Sequence, residues 1–234
     1  MAHPVRPHAL SFVTPRGDTA QVPVRFYPAD TPRRGCWLLL AHGAGAGQDS
    51  PFMVSYAVGL ATRGLDVTTF NFPYIEAHRR MPDPAPTLEA CYRAVIRHVR
   101  GLAGGSPVFI GGKSMGGRIA SRVAAEPTAL AEDVAGLVLL GYPLHPPGKP
   151  GQPRTAHWPR VRIPALFVQG TRDGFGTPDE LRAALPLLAG RAALHLVEGG
   201  DHSLSLRRAE RGRQAAVVAR VHDVIVGWIL ERLA

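Results

Sequence analysis

The sequence is poor in several residue types, and each shortage excludes a class of protein. Its 234 residues include two cysteines, Cys36 and Cys91, which excludes a disulfide framework and a zinc site built from cysteines. The apolar runs stay well short of the roughly 18 residues that a transmembrane helix needs. Residues 1–10 lack the apolar segment of a secretory signal, so the sequence predicts a cytoplasmic protein.

Aromatic residues and lysine are also scarce, whereas small apolar residues are plentiful. Aromatic residues make up 7% and hydrophobic residues 45% of the chain, which predicts one core built mainly from Ala, Val and Leu. The formal net charge is +9, but the positive residues are scattered, and the densest cluster, 207–213, contains Glu210. This distribution favours a solvated basic surface over nucleic-acid contact, which would rest on charge alone.

The apolar runs predict a mostly parallel, twisted sheet. Two short alternating stretches, 10–13 and 21–27, predict an antiparallel hairpin at one edge of the sheet. From residue 36 the runs are continuously apolar, which is typical of parallel strands covered on both faces. The six predicted parallel strands are 36–41, 65–70, 107–110, 135–140, 165–169 and 192–198.

Helical patterns alternate with these strands. They cover 87–102, with Thr87 as a weak cap, and 115–125, 177–188 and 213–233. This alternation predicts an α/β fold with helices on both faces of the sheet, in a single domain over residues 1–234. The proline-rich stretch 143–162 is too short for a helical lid domain, and we expect a loop that crosses the carboxyl edge of the sheet.

One glycine-rich motif carries the chemistry. Gly112-Lys113-Ser114-Met115-Gly116 follows the predicted strand 107–110 and precedes a helix, as in a nucleophile elbow, where a strained turn exposes the serine hydroxyl. The helix N-terminus next to the serine favours a developing oxyanion. Two phosphate-binding alternatives each lack one required residue, because a Walker A loop would need glycine at Pro107 and a dinucleotide fingerprint would need glycine at Gln48.

A serine nucleophile needs a base and an acid that orients the base. Of ten histidines, His202 is the one in a glycine-rich loop after the last strand and before the final helix. Asp173 follows the preceding strand, and the order Ser114, Asp173, His202 predicts a catalytic triad. Asp179 is a rival acid that suits a helix start better, and Asp201 is adjacent to His202 and poorly placed to orient it.

The same chemistry requires two backbone N–H groups that face the oxyanion. The N–H of Met115, directly after the serine, is the first candidate. The second is the N–H of Ala44, with Gly43 as the alternative, in the glycine-rich turn after strand 36–41. We expect His42 to orient this turn through a hydrogen bond rather than to act in catalysis.

Several motifs together resemble the α/β-hydrolase superfamily. They are His42-Gly43-Ala44-Gly45, 112–118, 170–173 and 200–202. Within this superfamily the chain resembles the lidless branch that is similar to dienelactone hydrolase. Segments 71–74, 79–84 and 141–149 resemble a narrower group of bacterial hydrolases, related to the hydrolase-like domain of a subunit of a chromatin acetyltransferase complex. Dienelactone hydrolases use a cysteine nucleophile where this chain has Ser114, which argues against lactone hydrolysis.

The loops after strands 65–70, 135–140 and 165–169 are expected to wall the substrate cleft. Besides Gly43, the residues expected to contact substrate are Phe72, Tyr74, Tyr142 and His145. Four cations are expected nearby and favour an acidic or phosphate-bearing acyl group, namely Arg79, Arg80, Lys113 and Lys149. The alternative is that the arginine stems cover apolar surface while their charges stay in water.

The favoured hypothesis is a serine hydrolase that cleaves a small-molecule carboxylic ester through an acyl-enzyme, with no cofactor, metal or membrane partner. Cleavage of a thioester or amide by the same triad is an alternative. A non-catalytic scaffold on the same fold is a second hypothesis, and a nucleic-acid-associated adaptor, suggested only by charge, is a third. No particular oligomeric state is predicted.

Overall fold

An eight-stranded sheet forms the centre of the protein. The structure is a computed structural model that describes residues 7–127, 133–188 and 191–234. The strands are β1 His8–Val13, β2 Thr19–Tyr27, β3 Trp37–Ala41, β4 Asp66–Phe70, β5 Val108–Lys113, β6 Gly136–Leu140, β7 Ala165–Gly170 and β8 Ala192–Val197. Their order across the sheet is β1-β2-β4-β3-β5-β6-β7-β8.

The N-terminal hairpin accounts for the antiparallel pairings of this sheet. β1 pairs with β2, and β2 pairs with β4, both in antiparallel register. The remaining pairs, from β4 across to β8, are parallel. The predicted edge hairpin, the mostly parallel sheet and the α/β class are therefore confirmed. β5 runs further than predicted, because Gly112 pairs with Ala41 and Lys113 pairs with Leu140.

Helices cover both faces of the sheet. The α-helices of the described residues are α1 Pro51–Ala61, α2 Pro73–Glu76, α3 Ala85–Ala103, α4 Met115–Ala124, α5 Pro178–Ala184 and α6 Gln214–Leu230. α1 and α6 contribute side chains to one apolar cluster, and α3 and α4 contribute to the other. Since β3, β5, β6 and β7 bury side chains in both clusters, their sequences are largely apolar, whereas β4 also buries the polar side chains of Asp66, Thr68 and Thr69.

Helix α1 is absent from the sequence prediction. The side chain of Ser50 caps this helix by accepting a hydrogen bond from the Met53 N–H, and Pro51 occupies the first turn. α1 packs against both the sheet and α6, and its contact with α6 is so close that a Cβ at Gly59 would lie 2.1 Å from the ring of His222. Because α1 is buried on more than one side, its sequence lacks the periodicity of a surface helix.

The other helices differ from prediction mainly at their ends. α3 begins at Ala85, ahead of the expected Thr87, because the proline at its N-cap and the proline in its first turn set helix-compatible φ angles. The expected helix 177–188 consists of α5 and a 3₁₀ helix, Leu185–Leu188. The final helix begins and ends inside its predicted range, with the 3₁₀ helix Arg208–Arg213 before it.

The segment between β6 and β7 is irregular apart from the short 3₁₀ helix Trp158–Arg160. Its backbone is fastened to the loop after β7, because the His145 N–H donates to the Phe175 carbonyl at 3.1 Å. Residues 143–162, which are all described, therefore form a loop at the carboxyl edge of the sheet without a helical lid. Within the described ranges, no helix is long and apolar enough to cross a membrane.

Candidate active site

Ser114 lies at the sharp turn between β5 and α4. Its φ is 51°, in the left-handed region that residues other than glycine rarely occupy. The Ser114 N–H donates to the carbonyl of Leu140 on β6 at 2.9 Å, and its carbonyl accepts from the Arg118 N–H at 3.0 Å. These two bonds hold the strained backbone in place, and the side chain lines an apolar-walled cavity at this edge of the sheet.

Two glycines make this turn sterically feasible. A Cβ at Gly112 would lie 2.3 Å from the carbonyl oxygen of Ala41 on β3, and a Cβ at Gly116 would lie 2.4 Å from the same atom. Both distances are far below van der Waals contact, so the turn can approach β3 only when both positions lack a side chain. This contact explains the Gly-x-Ser-x-Gly spacing around Ser114.

Replacement of Gly116 by alanine is expected to destabilise the protein by about 3 kcal/mol, because the added methyl group would push α4 away from the backbone of β3. Gly101 in α3 provides the matched control, since a Cβ added there would meet nothing within 4 Å. Gly101→Ala should instead stabilise the protein by up to about 1 kcal/mol through helix propensity. Urea unfolding measures both changes, and equal unfolding free energies for the two variants would contradict the steric explanation.

The structure brings Ser114, Asp173 and His202 together in one chain of hydrogen bonds. His202 lies in the loop after β8, and its Nε2 is 2.8 Å from Oγ of Ser114. Asp173 lies in the loop after β7, and its Oδ2 is 2.8 Å from Nδ1 of His202, with Oδ1 at 3.0 Å. Residues far apart in the sequence therefore meet at the carboxyl edge of the parallel strands, where the motif order predicts them.

Asp173 is fixed by further hydrogen bonds. Its residue exposure is 1%, and its carboxylate accepts from the Gln169 side-chain amide and from the Phe175 N–H, both at 2.8 Å. The ring of Phe175 stacks on the imidazole of His202, with the ring centroids 4.1 Å apart. A carboxylate can only accept hydrogen bonds, so the bond to Asp173 requires that the ring proton of His202 is on Nδ1. Nε2 is then free to accept the hydroxyl proton of Ser114.

The two rival acids lie elsewhere. Asp179, in the first turn of α5, pairs with Arg182 at 2.8 Å, and its side chain is 91% exposed. Asp201 accepts from the backbone N–H groups of Ser203 and Ser205, and so shapes the loop that carries His202. Neither carboxylate takes the place of Asp173.

A buried hydrogen-bond network orients the glycine-rich turn after β3. The His42 ring is 2.7 Å from the Gly43 carbonyl through Nδ1, and its Nε2 accepts from the Phe72 N–H at 3.0 Å. Burial lowers the pKa of His42 to about 4, so the ring is neutral at pH 7 and Nδ1 is the donor. The Tyr74 hydroxyl donates to the Ala44 carbonyl at 2.9 Å.

This network also determines where the Ala44 N–H points. In a trans peptide the N–H lies opposite the preceding carbonyl, so fixing the Gly43 carbonyl toward His42 fixes the Ala44 N–H in the reverse direction. Among the hydrogen bonds of the described residues, neither the Ala44 N–H nor the Met115 N–H has a protein acceptor. Ala44 and Met115 both line the cavity next to Ser114, as an oxyanion hole requires.

The cavity around Ser114 has a volume of about 650 Å³. Gly43, Ala44, Met115 and His202 form its polar end near Ser114. The predictions for substrate contacts need correction. Phe72 and Tyr142 are not among the lining residues, because their side chains turn into the apolar interior, where both have 0% exposure. His145 is also outside the cavity, since its ring faces Glu180 on α5, with Nε2 3.4 Å from the carboxylate. Tyr74 is likewise buried, and it contacts the glycine-rich turn instead of the cavity.

Of the four cations expected near the substrate, Lys113 lines the cavity. Its Nζ donates to the carbonyl of His202 at 3.2 Å and lies 5.2 Å from the ring centroid of Phe52. Burial lowers the pKa of Lys113 below its ordinary value, although Asp173 and Asp201 oppose that shift. Arg79 pairs with Asp83 at 2.5 Å, and Arg79 is absent from the cavity wall, as are Arg80 and Lys149.

Sequence reasoning missed several side chains of the cavity wall, among them Phe52, Arg118, Arg154 and Phe175. Arg118 could have been found, because it lies four residues after Ser114 on a predicted helix and therefore on the same face. Arg154 and Phe175 lie in loops whose path the sequence does not reveal. No group of three or more metal-ligating side chains occurs in the described parts of the chain.

The sequence from residue 34 to residue 230 matches the family described as "Alpha/beta hydrolase domain". This match covers most of the chain, and the protein belongs to that family. The family fits the fold, in which a strand-turn-helix motif carries Ser114 at the carboxyl edge of the sheet.

Solved structures share this fold over nearly their whole length. An alpha-beta serine hydrolase homologue from Coxiella burnetii has 18% sequence identity and a TM-score of 0.71, and the match covers 92% of this chain and 96% of that one. A protein from Xanthomonas campestris, described as a serine hydrolase without a lid, has 20% identity and a TM-score of 0.67, over 94% and 97%. Est1E from Butyrivibrio proteoclasticus has 13% identity and a TM-score of 0.71, over 96% and 98%.

Proposed function

We propose that the protein is a serine hydrolase that cleaves carboxylic esters through an acyl-enzyme. The observation that carries this proposal is the unbroken chain of short hydrogen bonds from Oγ of Ser114 through His202 to Asp173. In this assignment Ser114 is the nucleophile, His202 the general base and acid, and Asp173 the residue that orients the imidazole.

In the acylation step, Nε2 of His202 takes the hydroxyl proton of Ser114 while Oγ forms a bond to the ester carbonyl carbon. The carbonyl oxygen becomes an oxyanion and accepts hydrogen bonds from the N–H groups of Met115 and Ala44. The tetrahedral intermediate then collapses, the bond from carbon to the alcohol oxygen breaks, and His202 gives its proton to the departing alkoxide. The acyl group remains on Ser114.

Deacylation repeats these steps with water as the nucleophile. His202 removes a proton from the water while the water oxygen attacks the acyl carbon. The N–H groups of Met115 and Ala44 stabilise the second oxyanion as they did the first. Collapse returns the proton to Oγ of Ser114 and releases a carboxylic acid. Throughout, the Asp173 carboxylate accepts a hydrogen bond from the Nδ1–H of His202 and stabilises the positive charge that the imidazole acquires, and the proton stays on Nδ1.

Similar structures support an ester as the substrate. Est1E has been solved with ferulic acid bound, and an esterase domain from Rhodothermus marinus and an esterase from Pyrococcus furiosus share the fold. The apolar part of the cavity wall, with Phe52, Leu88 and Pro143, suits the acyl or alcohol portion of a small organic ester.

A fluorophosphonate probe tests the proposal, because it phosphonylates serines whose hydroxyl is activated by a base. We expect stoichiometric labelling of the folded protein, with the adduct located by peptide mass analysis at Ser114, and no labelling after heat denaturation. Release of p-nitrophenol from esters of increasing acyl length then measures the acyl preference. If the folded protein neither reacts with the probe nor hydrolyses these esters, the proposal is wrong and a non-catalytic scaffold becomes the better hypothesis.

A further inference from the structure

Two arginines from different parts of the chain line the cavity beside Ser114. Arg118 lies in the first turn of α4, and Arg154 lies in the loop between β6 and β7. Both residues line this one cavity, and the pKa of Arg118 is lowered first by burial and then by the charge of Arg154. The wall of one cavity therefore carries both positive charges.

The two acids of this region form ion pairs with other arginines, Asp83 through its Oδ1. Glu89 is paired with Arg122, and Asp83, the carboxylate in the described cavity wall, is paired with Arg79. Among the ion pairs of the described residues, none includes Arg118 or Arg154. Two like charges in a partly buried cavity repel each other, and an anion bound between them would relieve that repulsion.

Hydrogen bonds of its backbone N–H and carbonyl groups hold Arg154 in position. Its N–H donates to the Leu144 carbonyl at 2.7 Å, and its carbonyl accepts from the Tyr142 hydroxyl at 3.1 Å. The Tyr142 oxygen in turn accepts from the indole N–H of Trp158 at 3.1 Å. A buried polar network thus fixes the stretch of loop from which the Arg154 side chain extends, and Tyr142 contributes to the site from behind the cavity wall.

Lys113 differs from the two arginines because its charge is already engaged by the His202 carbonyl and the ring of Phe52. Its ammonium group therefore stabilises the loop that carries His202. The guanidinium groups of Arg118 and Arg154 form no hydrogen bond to other described residues, and their donors are available to a ligand. A guanidinium presents paired N–H donors in a plane that matches the two oxygens of a carboxylate.

We propose that the substrate is an ester that also carries a carboxylate, and that Arg118 and Arg154 bind this carboxylate while Ser114 attacks the ester carbonyl. This proposal rests on the proposed function, because it names the substrate class of the same site. The cavity of about 650 Å³ has room for a short chain or ring between the two groups. Hydrolysis of such a monoester gives an alcohol and a carboxylic acid, and the bound carboxylate is unchanged.

Paired substrates that differ only in charge test the proposal. Monoethyl glutarate is compared with its neutral carboxamide, which places the charge on the acyl side, and 3-acetoxybenzoate with 3-acetoxybenzamide, which places it on the alcohol side. We expect kcat/KM to favour the anionic member of at least one pair by about 10-fold or more, since charge-assisted hydrogen bonds are the strong ones. The pair that shows the preference identifies the side of the ester that faces the arginines.

Variants locate the origin of this preference. Arg118→Gln and Arg154→Gln should each lower the ratio of anionic to neutral kcat/KM by about 10-fold, and 0.5 M salt should also reduce this ratio. Arg97→Gln is the matched control, because Arg97 is exposed on α3 and outside the cavity, and it should leave the ratio unchanged. Thermal unfolding of each variant shows that its fold is retained.

Fluorophosphonate labelling separates this proposal from the proposed function. Glutarate, but not glutaramide, should slow the labelling of Ser114, and the protection should weaken in Arg118→Gln and Arg154→Gln. If Ser114 is labelled but neither hydrolysis nor protection distinguishes the charged from the neutral compounds, the carboxylate proposal fails and the serine hydrolase proposal stands. A preference that persists in both arginine variants would also overturn it. If Ser114 is not labelled, the proposed function fails, and this proposal fails with it.

Discussion

Ser114→Ala is expected to lower kcat for p-nitrophenyl esters by about a million-fold and to abolish fluorophosphonate labelling. The hydroxyl supplies the atom that bonds to the substrate, and no other described side chain is within hydrogen-bonding distance of Nε2 of His202. The small remaining rate would come from the N–H groups of Met115 and Ala44, which still stabilise an oxyanion formed by attack of water.

Ser203 provides the control for this experiment. It also lines the cavity, and it is adjacent to His202 in the sequence, but its hydroxyl forms no hydrogen bond to the imidazole among the described contacts. Ser203→Ala should therefore keep most of the activity and all of the labelling. A Ser114→Ala protein that still takes up the probe would show that another serine is the nucleophile and would refute the assignment.

Asp173→Asn is expected to lower kcat by about ten thousand-fold while KM changes little. An asparagine can turn its NH₂ toward Nδ1 of His202, and the ring proton then moves to Nε2. The imidazole would then donate to Ser114 instead of accepting its proton. Asp173 lies outside the cavity wall, so the loss should appear in kcat and in the labelling rate rather than in substrate affinity.

Asp179→Asn is the matched control, because Asp179 is exposed and pairs with Arg182 at the surface of α5. This variant should retain full activity. Since Asp173 also accepts from Gln169 and Phe175, urea unfolding of Asp173→Asn is measured alongside the kinetics. A loss of activity that only follows a loss of folded protein, or a rise in KM with kcat intact, would contradict the orienting role.

The strands could be predicted from the sequence because strands that are buried on both faces consist mainly of apolar residues. β3 to β7 are covered by helices on both faces, so most of their residues are apolar, although β4 includes Asp66, Thr68 and Thr69. The positions of Ser114, Asp173 and His202 could then be predicted, because each residue lies after the carboxyl end of a different strand, namely β5, β7 and β8. The narrower resemblance, to bacterial hydrolases related to the chromatin-associated domain, stays a prediction.

Other features could not be predicted, because they depend on where side chains point. Phe72 and Tyr142 follow strands of the sheet as expected, but Phe72 packs against Phe70, and Tyr142 packs against Trp158 and Phe167 in the interior. Sequence position fixes the end of a strand and leaves open whether the next side chain faces the cavity or the core. Helix α1 was not predicted for a related reason, because a helix that is buried on several sides lacks the apolar periodicity of a surface helix.

β8 lies at the open edge of the sheet, and this position affects how the protein loses activity on heating. β8 hydrogen-bonds to a neighbour on one side only, and most of its residues are partly exposed. Fraying of such a strand requires less free energy than opening the interior, and β8 leads directly into the loop that carries His202. The hydrogen bond between His202 and Ser114 can therefore break while the central strands stay folded. Inactivation would then occur at a lower temperature than global unfolding.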